Sequence, residues 1–275
     1  MGEQVEACLK AEQIRFRVFY TQYEQHAIAL TQQCLDLGVT HIPVVGGDGT
    51  AHEVAQKLVG TQTILGIVPA GTGNDYARTF HLPAHPQQAV RTALHGNVKR
   101  VDVIRINDRY CLNVASVGVD AQTNEETKRF KGILRGKLAY IAGALCAIMR
   151  YRPLPLQISF DDQTAVLQNA SMCVIANGKY YGGGFYPIAQ ASPENGRLDV
   201  LVVDGLKKRQ IPRLFLKYMR GTHAACKEAH FYQCQKMSLT CKDTPILLNS
   251  DGESYFLERC DLSIVPHCLS LAIPV

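Results

Sequence analysis

The chain has 275 residues, 47% of them hydrophobic and 19% charged, with a net charge of +5, an ordinary soluble composition with length enough for two modest domains. It contains no apolar run of spanning length, about 18–20 residues, and residues 1–30 lack the apolar centre of a signal peptide, so a cytoplasmic protein is expected. Ten cysteines at irregular spacing, with no Cys-x-x-Cys pair, argue against a disulfide framework or structural zinc, and Cys34, Cys111, Cys146 and Cys173 read as small buried hydrophobes.

Residues Gly2 to Ala11 carry Val5, Ala7, Cys8 and Leu9 at helical spacing, and Phe16 to Tyr20 alternates as a short strand. His26 to Leu37 predicts a helix with Ala27, Leu30, Cys34 and Leu37 on one face and Gly38 as its stop. The run from His41 breaks at Gly46-Gly47-Asp48-Gly49-Thr50 and passes into a helical pattern containing Glu53. From Ile64 the chain repeats the device: an apolar strand, then Pro69-Ala70-Gly71-Thr72-Gly73-Asn74-Asp75 at a helix start.

Glycines in such loops let backbone N–H groups approach phosphate oxygens, and the helix start adds unpaired donors. Asp48 would repel a phosphate unless a cation lay between them, which suggests a Mg²⁺-linked site. Asn74 or Asp75 also serves as an ordinary helix cap. In open α/β sheets two adjacent loops of this kind face one crevice.

Pro86 to His95 reads as a helix, Arg100 to Ile106 as a strand, Asn107-Asp108 as a hairpin signal and Arg109 to Val117 as the returning strand. The domain boundary is placed near Val103. Thr123 to Arg150 reads as the longest helical segment, first basic with Lys128, Arg129, Lys131, Arg135 and Lys137, then apolar from Tyr140 to Met149. From Leu154 short strands recur, with turn signals at Asp161-Asp162, Gly182 to Gly184 and Glu194-Asn195-Gly196, which predicts an antiparallel sandwich interrupted by a helix at Lys207 to Arg220.

The two glycine stretches, with Asp102, Gly118-Val119-Asp120, Gly182-Gly183-Gly184, Gly196-Arg197-Leu198-Asp199 and Asp251-Gly252-Glu253, resemble the bacterial diacylglycerol kinase family of soluble lipid kinases. The first motif is shared with NAD kinases and, loosely, phosphofructokinases, whereas Gly-Thr-Gly-Asn-Asp and the late Asp-Gly-Glu favour the lipid kinases. The resemblance implies an α/β nucleotide-binding domain (residues 1–103) followed by an antiparallel β-sandwich lipid-acceptor domain (residues 104–275). It also implies an opening strand and an Asn-Pro-x-x-Gly loop that this sequence lacks, either as a truncated copy or as a chain without that strand.

The same resemblance implies ATP and Mg²⁺ as cofactors. It puts Thr21, Gly46, Gly47, Asp48, Gly49, Thr50, Glu53, Gly71, Thr72 and Asn74 at the nucleotide, with Asp48, Asp75 and Asp102 around Mg²⁺. Ser192, Asn195 and Arg197 mark a second metal position, where Asn195 stands for the usual Asp and removes a charge. Glu253 becomes the general base, within reach of a lipid hydroxyl and helped by an apolar acyl pocket; an exposed hairpin Glu is the alternative from the residues alone.

Up to Val103 there are 8 basic and 9 acidic residues, and beyond it 21 and 15, which suits an anionic surface. Nucleic acid is not expected as a partner, for want of a stacking-aromatic pattern, a zinc finger or a groove-reading helix. The expected partner is a lipid substrate at the inner face of the membrane, approached through Lys207, Lys208, Arg209, Arg213 and the Lys128–Lys137 cluster; homodimerisation is left open. The reaction expected is γ-phosphate transfer from ATP to diacylglycerol, giving phosphatidic acid. A sphingoid base or NAD as acceptor, or an inactive lipid- or partner-binding homologue, remain as alternatives.

Overall fold

A computed structural model describes residues 2–130, 134, 137–161, 163–242 and 244–275, without the side chains of 137, 139, 140, 164–169 and 219. Lys131, Arg135, Asp162 and the Lys137 side chain therefore lie outside the described residues. In chain order the elements of the first half are α1 (Gly2–Ala11), α2 (His26–Asp36), β1 (His41–Gly46), α3 (Asp48–Leu58), β2 (Ile64–Pro69), α4 (Asp75–Thr79), α5 (Pro86–His95), β3 (Asn97–Ile106), β4 (Arg109–Cys111), β5 (Val114–Gly118), α6 (Val119–Phe130) and α7 (Lys137–Arg150). There follow β6 (Leu154–Phe160), β7 (Gln163–Ala176), β8 (Leu198–Asp204), α8 (Ile211–Met219), β9 (Ala229–Cys234), β10 (Lys236–Cys241), β11 (Ile246–Ser250), β12 (Glu253–Leu257) and β13 (Arg259–Ile273).

The first part is α/β. β1 and β2 run parallel, in register from His41 opposite Ile64 to Gly46 opposite Pro69, so their glycine loops emerge at the same end. Ala51, Val54, Ala55 and Leu58 on one face of α3 pack with Val44, Leu65 and Ile67, the 3.6-residue stripe that anchors a helix on a sheet. Phe16 to Tyr20 pairs with no described strand, and Phe16, Val18 and Tyr20 are 37%, 40% and 67% exposed. An extended run needs a neighbour to satisfy its backbone, and among the described residues β1 pairs with β2 alone.

The second part is a β-sandwich-like unit in which β13, β10, β6, β7, β5, β11 and β12 follow one another as neighbours. Its strands close around a core that includes Leu156, Ile158, Cys173, Ile175, Val200, Leu239 and Leu248. β13 joins both parts. It pairs antiparallel with β3 on both sides of a bulge between Val265 and Leu269, while its start also pairs antiparallel with β10 and its end runs parallel to β2. Leu269 and Leu271 thereby enter the core of the α/β part.

Two expected elements are divided. The strand from Arg109 breaks at Leu112-Asn113 into β4 and β5, for a reason that lies in the Asp251 side chain. The long helix from Thr123 is two helices, α6 and α7. α7 buries Ala144, Ala147 and Ile148 but leaves Leu138, Leu145 and Met149 63%, 57% and 72% exposed. These three recur at seven and four residues, one line along the helix. Beside it, α8 buries Ile211, Leu214 and Tyr218 and exposes Leu216. Lys208 Nζ donates to the Met149 carbonyl at the end of α7.

Candidate active site

The ends of β1 and β2, the break between β4 and β5, α6, the loop at Tyr181–Gly183 and the β11–β12 turn enclose a cleft of about 850 Å³. Gly47, Asp48, Gly49, Thr72, Gly73 and Asp75 line it from the α/β part, and Asn249, Asp251, Gly252 and Glu253 from the sandwich-like part. Gly47 and Gly71 bring the two glycine loops together backbone to backbone, because a Cβ on Gly71 would sit 2.5 Å from the Gly47 Cα. Asn74 fixes the second loop: its Oδ1 accepts from the Gly71 N–H and its Nδ2 donates to the Gly71 carbonyl, both at 2.9 Å.

Asp48 and Asp75 converge around Gly73, whose added Cβ would lie 2.9 Å from Asp48 Oδ2 and 3.3 Å from Asp75 Oδ2. Asp48 Oδ1 accepts from the Tyr76 N–H at 3.0 Å, and Asp75 Oδ2 accepts from the Gly183 N–H at 2.7 Å. Burial, with the nearby Asp48 charge, raises the Asp75 pKa, opposed by the Gly183 N–H and Arg78. The buried Asp75 Oδ1 has no hydrogen-bond partner among the described residues. Leaving such an oxygen unpaired costs about 1–3 kcal/mol.

No three His, Cys, Asp or Glu side chains among the described residues form a complete metal site. A Mg²⁺ ion fits the pair nonetheless, because it is held by one or two carboxylates together with phosphate oxygens and water. Like charges in close proximity and an orphaned carboxylate oxygen are what such an ion would relieve. Arg78 braces this wall: Nη2 donates to the Gly73 carbonyl at 3.3 Å, and the guanidinium lies 5.6 Å from the Tyr180 ring centroid. It also fills the space where a Gly184 Cβ would meet Nη1 at 2.4 Å.

Glu253, from the sandwich-like part, has a side chain 35% exposed and 3.8 Å from Lys128 Nζ of α6. It faces a cation rather than an apolar enclosure. The turn that carries it is tied down by Asp251. Asp251 Oδ2 accepts from the Leu112 N–H at 2.7 Å, and Oδ1 accepts from the N–H groups of Asn113 and Val114 at 3.0 and 3.1 Å. Those three donors are the residues that would otherwise continue the strand, which is why it breaks there. Asp251 itself adopts φ +50° and Gly252 φ +96°.

Several sequence candidates lie elsewhere. Asp102 is fully buried, with Oδ1 accepting from the His267 N–H at 2.8 Å and Oδ2 from the Gly196 N–H at 2.7 Å. It pins the β13 bulge to the turn before β8 and is not among the residues lining the cleft. Glu53 accepts from the N–H groups of Gln25 and Ala27 at 3.0 Å each, satisfying donors at the start of α2. Thr21 is exposed and outside the cleft. Gly46 and Thr50 pack on each other, a Gly46 Cβ meeting Thr50 Oγ1 at 2.8 Å.

The Ser192–Arg197 turn is closed on itself and is likewise separate from the cleft. The Ser192 carbonyl accepts from the Asn195 N–H at 3.4 Å, and Asn195 Oδ1 accepts from the Arg197 N–H at 2.9 Å. Asn195 Nδ2 donates to Asp199 at 2.9 Å, so its amide spans a turn with both ends engaged. Residues that line the cleft without having been assigned a role include Asn113, Asn124, Tyr181 and Gly183. Asp120, which accepts from the Tyr181 hydroxyl, is another. The glycine triplet at 182–184 and Gly118-Val119-Asp120 were the signals for them.

The family model for the diacylglycerol kinase catalytic domain matches residues 1–106, and that for the YegS C-terminal NAD kinase beta sandwich-like domain matches residues 113–273. The chain belongs to the diacylglycerol kinase family. It is therefore a lipid kinase, an ATP-dependent phosphotransferase. A diacylglycerol kinase of Mycobacterium tuberculosis is 29% identical over 243 residues, spanning 86% of this chain and 78% of the relative. In fold, the chain is similar to the crystal structure of a diacylglycerol kinase from Bacillus anthracis (TM-score 0.72, 19% identity, 98% of this chain and 91% of that one). An NAD kinase from Archaeoglobus fulgidus in complex with ATP is also similar (TM-score 0.52, 12% identity, 98% and 88%).

Proposed function

We propose that this lipid kinase transfers the γ-phosphate of ATP to the free hydroxyl of diacylglycerol, with Mg²⁺, giving phosphatidic acid. The observation that carries the reading is that Glu253 and the Asp48–Asp75 pair, from the two parts of the chain, line one cleft. Backbone N–H groups of Gly47, Gly49, Thr72 and Gly73 seat the phosphates, and Asp48 and Asp75 hold Mg²⁺. When bound, the ion offsets charge on the phosphate oxygens. The acceptor hydroxyl attacks the γ-phosphorus while Glu253 takes its proton, and ADP departs. Lys128 keeps a positive charge beside Glu253, where an anionic product forms.

The acceptor reaches the cleft from a bilayer surface. This reading is supported by the exposed line Leu138, Leu145 and Met149 on α7 and by exposed Lys207, Lys208, Arg209 and Arg213 at α8. Apolar residues rimmed by cations suit an interface with anionic lipid. Within the Lys128–Lys137 cluster, Lys128 pairs with Glu125 and Glu253 and Arg129 with Glu126, so these two contribute less.

The test is transfer of labelled γ-phosphate to diacylglycerol in anionic mixed micelles, with sphingoid base and NAD as parallel acceptors. Diacylglycerol should be labelled in a Mg²⁺-dependent manner. Glu253→Gln should abolish turnover while leaving ATP binding intact. Substantial residual transfer by that variant overturns the role of Glu253, and preferential labelling of another acceptor overturns the substrate.

A further inference from the structure

His52 sits on α3 (Asp48–Leu58) and is 5% exposed. Its Nδ1 lies 2.8 Å from Asp251 Oδ2, joining positions 199 residues apart. The other ring nitrogen is covered by Gln56, whose amide orientation is set by Tyr110. Gln56 Nε2 donates to the Tyr110 carbonyl at 2.8 Å and Gln56 Oε1 accepts from the Tyr110 N–H at 3.0 Å. Gln56 Nε2 also donates to the His52 carbonyl at 3.2 Å and lies 3.4 Å from His52 Nε2; because the Asp251 carboxylate only accepts, Nδ1 is the nitrogen that carries the proton toward it.

Asp251 is the residue on which the acceptor-side turn hangs. Besides its three backbone donors it receives the Cys111 Sγ at 3.3 Å. The next residue is held through Asn249 Oδ1, which accepts from the Gly252 N–H at 3.1 Å, and through Asn124 Nδ2, which donates to the Gly252 carbonyl at 2.9 Å. Of the groups bonded to this turn among the described residues, His52 alone comes from the α/β part, on the same helix that begins at Asp48. The bond spans the cleft's two sides with no solvent in between, because the two side chains are 7% and 2% exposed.

We propose that His52 is a positioning residue for Glu253, acting through Asp251 to fix the β11–β12 turn against α3 and so set the distance from the base to the γ-phosphate. His52 itself touches neither nucleotide nor lipid; what it controls is the registry of the acceptor-side turn against α3, beside the Gln56–Tyr110 and Asp75–Gly183 bonds that also join the two parts. A displacement of about 1 Å between a base and its reacting hydroxyl costs up to about 10²-fold in rate. The inference rests on the assignment of Glu253 as the base.

The experiment compares wild type, His52→Asn and His52→Ala in steady-state transfer and in hydrogen exchange of peptides covering 110–114 and 249–255. Asn places an amide nitrogen at the same branch point as Nδ1, and Ala removes the donor. His52→Ala should lose about tenfold or more in kcat with the KM for ATP changed less than about twofold, and His52→Asn should recover most of it. Exchange in both peptides should rise in the Ala variant and return toward wild type in the Asn variant. A His52→Ala enzyme with wild-type kcat, or an Asn variant as impaired as Ala, overturns the proposal, as does unchanged exchange. Should the Ala variant not fold, the Asn variant's kcat and exchange decide it, a loss of about tenfold with loosened peptides overturning it. A wild type that phosphorylates no lipid defeats the assignment of Glu253, and unchanged exchange then separately defeats the clamp.

Discussion

Gly47 and Gly71 meet with no room for a side chain between them: a Cβ on Gly71 would lie 2.5 Å from the Gly47 Cα and 2.9 Å from Asn74 Oδ1. Both obstacles are fixed, one being backbone and the other an amide bonded twice to Gly71. Gly71→Ala should therefore part the two loops, lowering ATP affinity about tenfold or more, equivalent to about 1.4 kcal/mol. Gly49→Ala is the control, because a Cβ there meets nothing within 4 Å and the melting temperature should hold. Titration calorimetry with ATP beside thermal unfolding separates the two; equal affinity in Gly71→Ala would refute the contact's importance.

Asp75 makes a prediction about the metal-free protein. Its pKa is raised by burial and by Asp48, so the folded state binds its proton more tightly than the unfolded chain does. Its contribution to stability is then fully present below the ordinary value of 3.8 and is lost as pH rises through the folded value. At neutral pH Asp75→Asn should leave the metal-free fold as stable as wild type or more so. Added Mg²⁺ with ATP should raise the melting temperature of wild type and much less that of the variant. A variant stabilised equally by Mg²⁺ and ATP would remove Asp75 from the cation site.

The glycine loops were legible because a strand, a glycine cluster and a helix start are all local signals, and so was the turn bearing Glu253. What was not legible depends on partners far away in sequence. Asp102 looks like a solvated strand end until His267 and Gly196 supply their N–H groups, from 165 and 94 positions away. Glu53 follows the glycine motif closely enough to suggest nucleotide, yet its oxygens serve the start of α2. The break in the strand at Leu112-Asn113 has no composition signal either, since its cause is a carboxylate 139 residues away from Leu112. Phe16 to Tyr20 has a strand's alternation without a neighbour to pair with.

The His52–Asp251 pair predicts a pH dependence of stability. Burial pushes the His52 pKa down, but the bond to and charge of Asp251, with Glu253 and Glu53 nearby, outweigh it and hold the value above 6.5. Burial pushes Asp251 up, and the bond to and charge of His52, with the Leu112 and Val114 N–H groups, bring it below 3.8. The His52 contribution is fully present below pH 6.5 and fades as pH rises through its elevated value. The Asp251 contribution is present above 3.8 and is lost on acidification through its lowered value. Between those limits the stability gap between wild type and His52→Ala should be widest, on the order of 3 kcal/mol, narrowing as pH rises through the raised His52 value. Urea midpoints across that range provide the measurement, and a gap independent of pH would mean the pair is neutral in the folded protein.

The exposed line on α7 leads to a prediction about where the enzyme works. Leu145 and Met149 are more than half exposed while their neighbours Ala144, Ala147 and Ile148 are buried, so a charge at 145 or 149 enters solvent and leaves the core intact. Leu145→Glu with Met149→Glu should keep the melting temperature and ATP affinity of wild type. On anionic vesicles containing diacylglycerol it should lose about tenfold or more in binding, since each buried aliphatic side chain contributes about 1.5–3 kcal/mol. Phosphorylation of a short-chain diacylglycerol dispersed below its aggregation limit should be unchanged. Lys207→Ala with Lys208→Ala should weaken vesicle binding too, and raised salt should erase the difference, because exposed charges act through a screened field. Vesicle binding that is indifferent to both pairs of changes would place the membrane-facing surface elsewhere on the molecule.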